Sequence, residues 1–190
     1  MRKKIVLIDG HSILNRAFYG VPDLTTPEGL RTNAVYGFLN IMFKILDLEK
    51  PEYLTVAFDV HAPTFRHEMF SEYKGTRKPM AEELRQQVPV IKEVLEAMNI
   101  STIEKAGLEA DDLLGTLSRM CEESGMDVSI ISGDRDTLQL ATEHVKIRIP
   151  KTKQGKTEIE NYYAADVVER YKVTPREFID VKALMGGSAD

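Results

Sequence analysis

The 190-residue chain has no tryptophan, only one cysteine, and no apolar stretch of membrane-spanning length. Because Cys121 has no second cysteine to pair with, an internal disulfide is excluded, and the chain carries no zinc-binding motif. The opening residues MRKKIVLIDGH are not typical of a signal peptide, since Asp9 ends a short apolar run. We therefore expect a cytoplasmic protein with no membrane partner.

Positive charge is not in excess either, since 25 basic residues face 30 acidic ones and the net charge is −5. This balance argues only weakly against a nucleic-acid partner, because the placement of charge matters more than its total. With 43% hydrophobic and 29% charged residues, the composition is that of an ordinary globular protein. The sequence has no internal repeat and no linker-like tract, so a single domain over 1–190 is expected.

Hydrophobic periodicity predicts strands that alternate with helices. The predicted strands are 3–9, 53–59, 101–104, 127–136 and 145–149, the last followed by a polar hairpin. The predicted helices are 33–48, 81–98 with a possible bend at Pro89, one that opens at 109, 163–171 and 175–185. This alternation indicates a three-layer α/β fold, with a mostly parallel central sheet and helices on both faces.

Acidic residues cluster where the predicted strands end and where one helix begins. Strands end at or near Asp9, Asp59 and Asp134, and the stretch GLEADDLLG (107–115) opens a helix with three carboxylates. Acidic residues at a helix start can be simple caps, and for this stretch alone capping and function are equally good explanations. Because parallel strands deliver their carboxyl ends to one edge, we favour a shared site.

A shared site would collect seven carboxylates in one crevice, which is prohibitive without counterions. The seven are Asp9, Asp59, Glu109, Asp111, Asp112, Asp134 and Asp136. Oxygen ligands without cysteine or histidine favour Mg²⁺ or Mn²⁺ over zinc. Such sites typically hold two ions roughly 4 Å apart, which act on the attacking and leaving oxygens of a phosphoryl transfer.

The segment 62–79 mixes cations with aromatic rings directly after Asp59. Its cations are Arg66, Lys74, Arg77 and Lys78, interleaved with Phe65, Phe70 and Tyr73. Cations bind phosphates and aromatic rings stack on unpaired bases, so this segment is a candidate nucleic-acid contact. A solvated amphipathic helix is the alternative explanation.

These motifs together resemble the 5′-nuclease domains of bacterial DNA polymerase I, in the flap endonuclease family. The resemblance rests on LIDGHS, NRAFYG, TPEG, TNAVYGFLN, FD, TFRHE, YKGTRKPM, EADDLLGTL, SGDRDTLQL and ALMGGSAD, in that order. It implies a PIN-like fold with a helical arch over 62–80, and a 5′→3′ exonuclease and flap endonuclease of DNA replication and repair. It further implies two Mg²⁺ ions with Mn²⁺ as a substitute, 5′-flap DNA and RNA primer–DNA hybrids as substrates, a fused polymerase region and a monomer.

The resemblance also implies roles for individual residues. Asp9, Asp59, Glu109, Asp111 and Asp112 would form the first metal site, and Asp134, Asp136 and Asp190 the second, with Asp111 between them. Lys74 and Arg77 would act as the catalytic cations at the scissile phosphate. DNA contacts would come from Arg16 and Arg66 as phosphate-steering arginines, from Tyr73 stacking on a base, and from Lys78.

Two departures from the family pattern keep an alternative open. The last acidic motif is expected to read G-D-x-x-D-N, whereas this chain has GGSAD, with Gly187 replacing an aspartate. The chain also stops at Asp190, before the expected helix–hairpin–helix. The second metal site should therefore be weakened, and the alternative function is a non-catalytic or weakly active flap-binding module. A haloacid-dehalogenase-like phosphatase would need an acid where His11 stands, and we expect the histidines to be structural or surface residues.

Overall fold

The computed structural model describes residues 2–60, 64–69, 79–153 and 156–185, and its centre is one six-stranded sheet. The strands are β1 (Lys4–Asp9), β2 (Tyr53–Ala57), β3 (Ser101–Ile103), β4 (Asp127–Ile131), β5 (Val145–Lys153) and β6 (Lys156–Tyr162). Their order across the sheet is β3-β2-β1-β4-β5-β6. All neighbours pair in parallel except β5 and β6, which form the predicted hairpin. The prediction of a mostly parallel sheet is confirmed.

Helices fill the connections between the strands. They are α1 (Gly10–Gly20), α2 (Asn33–Glu49), α3 (Phe65–Met69), α4 (Glu82–Arg85), α5 (Gln87–Ala97), α6 (Ala110–Glu123), α7 (Ala164–Tyr171) and α8 (Phe178–Met185), with a 3-10 helix over Arg135–Leu140. None of the helices in the described ranges is long and apolar enough to cross a membrane.

Two hydrophobic cores lie on opposite faces of the sheet, because side chains alternate along each strand. From β1, Val6 and Ile8 join a core with α1, α2 and α5, whereas Leu7 points to the other core with α6 and α7. Phe38 of α2 and Leu114 of α6 are both fully buried, one in each core. The predicted three-layer arrangement is confirmed.

The structure corrects several predicted element boundaries. Helix α1 was not predicted, because it begins directly at the end of β1 with no intervening loop signal. Strand β2 ends at Ala57, and β4 ends at Ile131 and is followed by the 3-10 helix, so the predicted strand 127–136 was too long. The predicted helix 81–98 is interrupted at Gln86, because Pro89 has no N–H to donate to the carbonyl four residues earlier.

The strand order creates a crevice at the centre of the sheet. From β1 the chain proceeds to β2 on one side, and from the adjacent β4 it proceeds to β5 on the other. At such a switch point the connections diverge, and the space outside the carboxyl ends of the two strands is open to a ligand. Asp9 and the segment 132–134 lie at this position.

Candidate metal centre

Asp9, the last residue of β1, is the most buried acidic residue of the crevice, with 5% of its surface exposed. Its Oδ1 accepts a hydrogen bond from the Ser12 N–H at 3.1 Å, and its Oδ2 accepts one from the Ser132 hydroxyl at 2.9 Å. Burial, together with the negative charges of Asp111 and Asp59, raises the pKa of Asp9 to about 7, although these two hydrogen bonds act to lower it. The fold therefore holds a carboxylate in surroundings that disfavour its charge.

Asp59 joins the end of β2 to the start of α6. Its Oδ1 accepts a hydrogen bond of 2.7 Å from the N–H of Ala110, the first residue of α6. Backbone N–H groups at a helix start have no partner within the helix, so a carboxylate from a neighbouring strand satisfies one of them. The side chain of Asp59 is 45% exposed and faces the crevice from the β2 side.

The first turn of α6 supplies the predicted acidic cluster, and an arginine lies against it. The Glu109 N–H donates to Asp112 Oδ2 at 3.0 Å, which is part of a capping box. Arg66 of α3 donates to both oxygens of Asp112, at 2.8 and 2.7 Å, and lies 3.4 Å from Glu109 Oε2. Glu109 and Asp112 thus cap the start of α6, and both carboxylates also pair with Arg66.

The segment after β4 brings Asp134 and Asp136 to the same edge. The Ser132 hydroxyl that donates to Asp9 also accepts the Asp134 N–H at 3.0 Å. Asp134 Oδ1 then accepts the Asp136 N–H at 2.8 Å, which caps the 3-10 helix. Lys182 of α8 forms an ion pair with Asp136, with Nζ 3.0 Å from Oδ1.

Arg16 of α1 lies beside the same segment. Its Nη2 donates to the Gly133 carbonyl at 3.0 Å, and burial lowers the pKa of Arg16, with Arg135 adding like-charge repulsion. A Cβ on Gly133 would lie 2.7 Å from Arg16 Nε, so a larger residue here would force the Arg16 side chain to shift. A cation is therefore held beside the segment that leads to Asp134, and its phosphate-steering role stays a prediction.

Two cavities flank the acidic residues. One, of about 800 Å³, runs along α6 and is lined by Asp111, Asp112, Arg66 and Asp136 among others. The other, of about 270 Å³, lies on the α5 side of Asp59 and includes His11 and Lys92 in its lining. Solvent and small ligands can therefore reach the acidic residues from both the α6 side and the α5 side.

The donor set of the crevice consists of carboxylate oxygens, the ligands that hard divalent cations prefer. Burial and like charges act together on Asp9, so a cation among Asp9, Asp59 and Asp111 would relieve both costs. Within the described ranges, no three acidic, histidine or cysteine side chains are gathered tightly enough to form a ready-made metal site. The chemistry of the residues fits a metal, while Arg66 and Lys182 are cations that pair with these carboxylates in the structure.

Some site residues lie outside the described ranges, and others were not foreseen. Outside the described residues lie Tyr73, Lys74, Arg77, Lys78, Gly187, Asp190 and most of the predicted arch, of which residues 64–69, including α3, and 79–80 are described. Sequence reasoning missed the roles of Ser12, Ser132, His11 and Lys182. The position of Ser132 between β4 and Asp134 could have indicated its role, whereas nothing in the sequence around Lys182 indicates its pairing with Asp136.

Comparison with known proteins identifies relatives along the whole chain. A family model described as 5′-3′ exonuclease, N-terminal resolvase-like domain matches residues 4–172. DNA polymerase I of Bacillus subtilis (strain 168) is 47% identical over 189 residues, which are 100% of this chain and 21% of that protein. DNA polymerase I of Bacillus caldotenax is 48% identical over 190 residues, with the same shares covered. The chain spans about one fifth of the length of the curated relatives it matches.

Solved structures share the fold. A bacteriophage T5 flap endonuclease in complex with DNA and metal ions matches with a TM-score of 0.75 and 23% identity, covering 99% of this chain and 68% of that one. The catalytic core of Rad2 in complex with DNA substrate matches with a TM-score of 0.56 and 17% identity, covering 98% and 55%. The predicted flap-nuclease fold and the resemblance to the nuclease domains of DNA polymerase I are confirmed. Because the family model matches most of its length, the chain belongs to the family of 5′-3′ exonuclease N-terminal resolvase-like domains.

Proposed function

We propose that this domain is a divalent-metal-dependent, structure-specific 5′ nuclease that hydrolyses phosphodiester bonds at 5′ ends and 5′ flaps of DNA. The observation that carries the proposal is that Asp9 is buried at the switch point of the sheet, within electrostatic range of Asp111 and Asp59, where negative charge is otherwise costly. Membership of the 5′-3′ exonuclease family supports the same reaction. Phosphodiester hydrolysis is a reaction for which carboxylate-held cations are suited.

We infer that Mg²⁺ is the working ion, with Mn²⁺ as a substitute. Asp9, Asp59, Glu109, Asp111 and Asp112 would hold the first ion. Asp134, Asp136 and Asp190 would hold a second, weaker one. Ions held in this way lower the pKa of a water nucleophile and neutralise charge on the phosphate. Among solved structures with this fold, a T5 5′-exonuclease contains zinc, and the Holliday junction-resolving enzyme GEN1 contains Mg²⁺ alone or Mg²⁺ with Mn²⁺. These structures support a divalent ion without selecting one.

The cations around the centre are suited to a polyanionic substrate. Arg16 and Arg66 lie beside the acidic residues, and each is partly solvent-accessible. A phosphate could therefore replace the Gly133 carbonyl as the partner of Arg16, or Asp112 as the partner of Arg66. We propose that Lys74 and Arg77 stabilise the scissile phosphate, and that Tyr73 and Lys78 contact the displaced strand. RNA primer–DNA hybrids, a monomeric state and fusion to a polymerase region belong to the same proposal.

The proposal is tested with a 5′-flap DNA labelled at its 5′ end, with Mg²⁺ or Mn²⁺ and with a chelator. Metal-dependent release of the flap is expected, and Asp111→Asn should slow it about a hundredfold or more, since a lost ligand forfeits several kcal/mol. Asp47→Asn is the matched control, because Asp47 is exposed on α2 near the opposite edge of the sheet. The assay is run on this chain and on a longer one that continues past residue 190. Flap binding without cleavage in both, at every metal concentration, would instead establish the flap-binding module.

Gly187 provides a separate test of the weakened second ion. Restoring a carboxylate with Gly187→Asp should shift the Mg²⁺ titration of cleavage to lower concentration, because one more oxygen ligand raises the affinity for a hard cation. Gly187→Asn is the size-matched control without the charge. An identical Mg²⁺ titration for all three proteins would mean that position 187 does not face the metal.

A further inference from the structure

We propose that His11 is a positioning residue that fixes Asp59 at the metal centre by accepting the backbone N–H of Asp59. The inference rests on the proposed function, because it assigns a purpose to the position of Asp59. It changes the role of His11 from the structural or surface residue expected from the sequence.

The distances assign the role of each atom. The Asp59 nitrogen lies 3.1 Å from His11 Nδ1, within hydrogen-bonding range, whereas Asp59 Oδ2 lies 3.6 Å from the same nitrogen, beyond that range. A backbone N–H can only donate, so Nδ1 must be an unprotonated acceptor, and the proton of a neutral imidazole must be on Nε2. The bond therefore requires one particular tautomer of His11.

Asp59 needs such a partner because the sheet no longer holds its backbone. The parallel pairing of β1 and β2 ends at Asp9 and Ala57. The Phe58 N–H still donates to the Ile103 carbonyl at 2.9 Å, and the next N–H, that of Asp59, turns to His11. The Asp59 side chain is anchored separately, through Oδ1 and the Ala110 N–H. Two bonds from two different helices thus fix the backbone and the carboxylate of Asp59.

His11 is itself held in place by packing. Its ring lies edge-on to the Phe58 ring, with centroids 5.5 Å apart, and Lys92 lies over that ring at 5.1 Å. Phe58 is fully buried and lies so close to the start of α1 that a Cβ on Gly10 would be 2.4 Å from its ring. The sequence Asp9-Gly10-His11 therefore supplies a carboxylate of the candidate metal centre, the space for Phe58, and the acceptor for Asp59.

The alternative explanation is that His11 contributes only to packing, since its side chain is 17% exposed. Two amide substitutions separate these explanations. Asparagine carries Oδ1 on Cγ, at the position of Nδ1, so His11→Asn retains an acceptor for Asp59. Glutamine places its polar atoms one carbon further out, near Nε2, so His11→Gln retains polarity but not the acceptor, and His11→Leu removes both.

The first measurement uses the metal-free protein and no DNA. Nitrogen-15 spectra of the imidazole at neutral pH distinguish a protonated from an unprotonated Nδ1. An unprotonated Nδ1 bonded to the Asp59 amide is expected. A proton on Nδ1, directed at the Asp59 carboxylate, would overturn the inference.

The second measurement is calorimetric titration with Mn²⁺ of the wild type and the three His11 variants. His11→Asn should bind Mn²⁺ as the wild type does, whereas His11→Gln and His11→Leu should lose about tenfold to a hundredfold in affinity, the usual loss for a group that supports a metal ligand. Denaturant unfolding in the presence of a chelator shows whether each variant is folded. If His11 contributed only to packing, the variants would have a lower free energy of unfolding, but His11→Asn and His11→Gln would bind Mn²⁺ with the same affinity. Equal Mn²⁺ affinity in all four proteins refutes the role of His11, whereas absence of Mn²⁺ binding by the wild type refutes the proposed function instead.

Discussion

The substitution Asp9→Asn should stabilise the metal-free protein at neutral and alkaline pH. An asparagine side chain has nearly the shape of the aspartate it replaces, and its Oδ1 can still accept the Ser12 N–H. The new amide group can donate to the Ser132 hydroxyl, whose own proton can turn to Ser12 Oγ, 3.4 Å away. The substitution therefore removes charge from the crevice while the surrounding hydrogen bonds rearrange only slightly.

The magnitude follows from the pKa of Asp9, which burial and the charges of Asp111 and Asp59 raise from 3.8 to about 7. At about 1.4 kcal/mol for each pH unit, ionised Asp9 destabilises the metal-free fold by at most about 4 kcal/mol. A carboxyl with a raised pKa binds its proton more tightly in the folded state. Its cost is consequently absent below pH 4, grows as the pH rises, and is complete above pH 7.

Denaturant unfolding at pH 4.5, 6 and 8 with a chelator measures this cost. The variant should exceed the wild type by up to about 4 kcal/mol at pH 8 and by only about 1 kcal/mol at pH 4.5. Addition of Mn²⁺ at pH 8 should stabilise the wild type more than the variant, because ligand binding to the folded state adds to its stability. Asp47→Asn, on the exposed face of α2, is the control and should show neither effect. If the two proteins were equally stable at pH 8 without metal, the crevice would not be electrostatically strained.

Three further substitutions test other parts of the structure. Arg66→Ala should lower the free energy of unfolding by about 1 kcal/mol without metal and should tighten Mn²⁺ binding in a calorimetric titration, because Asp112 loses its competing cation. Gly133→Ala should cost about 1–3 kcal/mol in denaturant unfolding, since the new Cβ displaces Arg16; no loss would mean that Arg16 adjusts without cost. Glu49→Gln should cost about 3–5 kcal/mol, because this buried carboxylate accepts hydrogen bonds from a serine and faces two basic side chains that would be left uncompensated.

The sheet and the long amphipathic helices could be predicted from periodicity, because the pattern of burial follows the geometry of each element. The stripe of α2, with Phe38, Met42 and Ile45 buried, is an example. Helix α1 could not be predicted in this way. Its start coincides with the end of β1, and its cap is Asp9, the same residue that serves the crevice, so capping and functional signals overlap in one position.

For the site, the strand ends were informative and the connections between them were not. That Asp9, Asp59 and Asp134 share one edge follows from parallel strands alone. The serine that links Asp9 to Asp134 and the histidine that holds Asp59 depend on where backbone N–H groups are left after the strands end. The hydrogen bonds from Ser132 to Asp9 and from Asp59 to His11 join residues that are far apart in the sequence, so no local sequence pattern predicts them.

The pairing of Arg66 and Lys182 with the acidic residues explains how the fold tolerates its own centre. Acidic side chains brought together for a cation repel each other when no cation is present, so a metal-free chain needs another source of positive charge. Arg66 comes from α3, directly after β2, and Lys182 comes from α8, near the end of the described chain. Both side chains are about one-third exposed, so these ion pairs exchange with solvent and cost little to break. We propose that the same two cations would become available to phosphate groups if metal ions took their place beside the carboxylates.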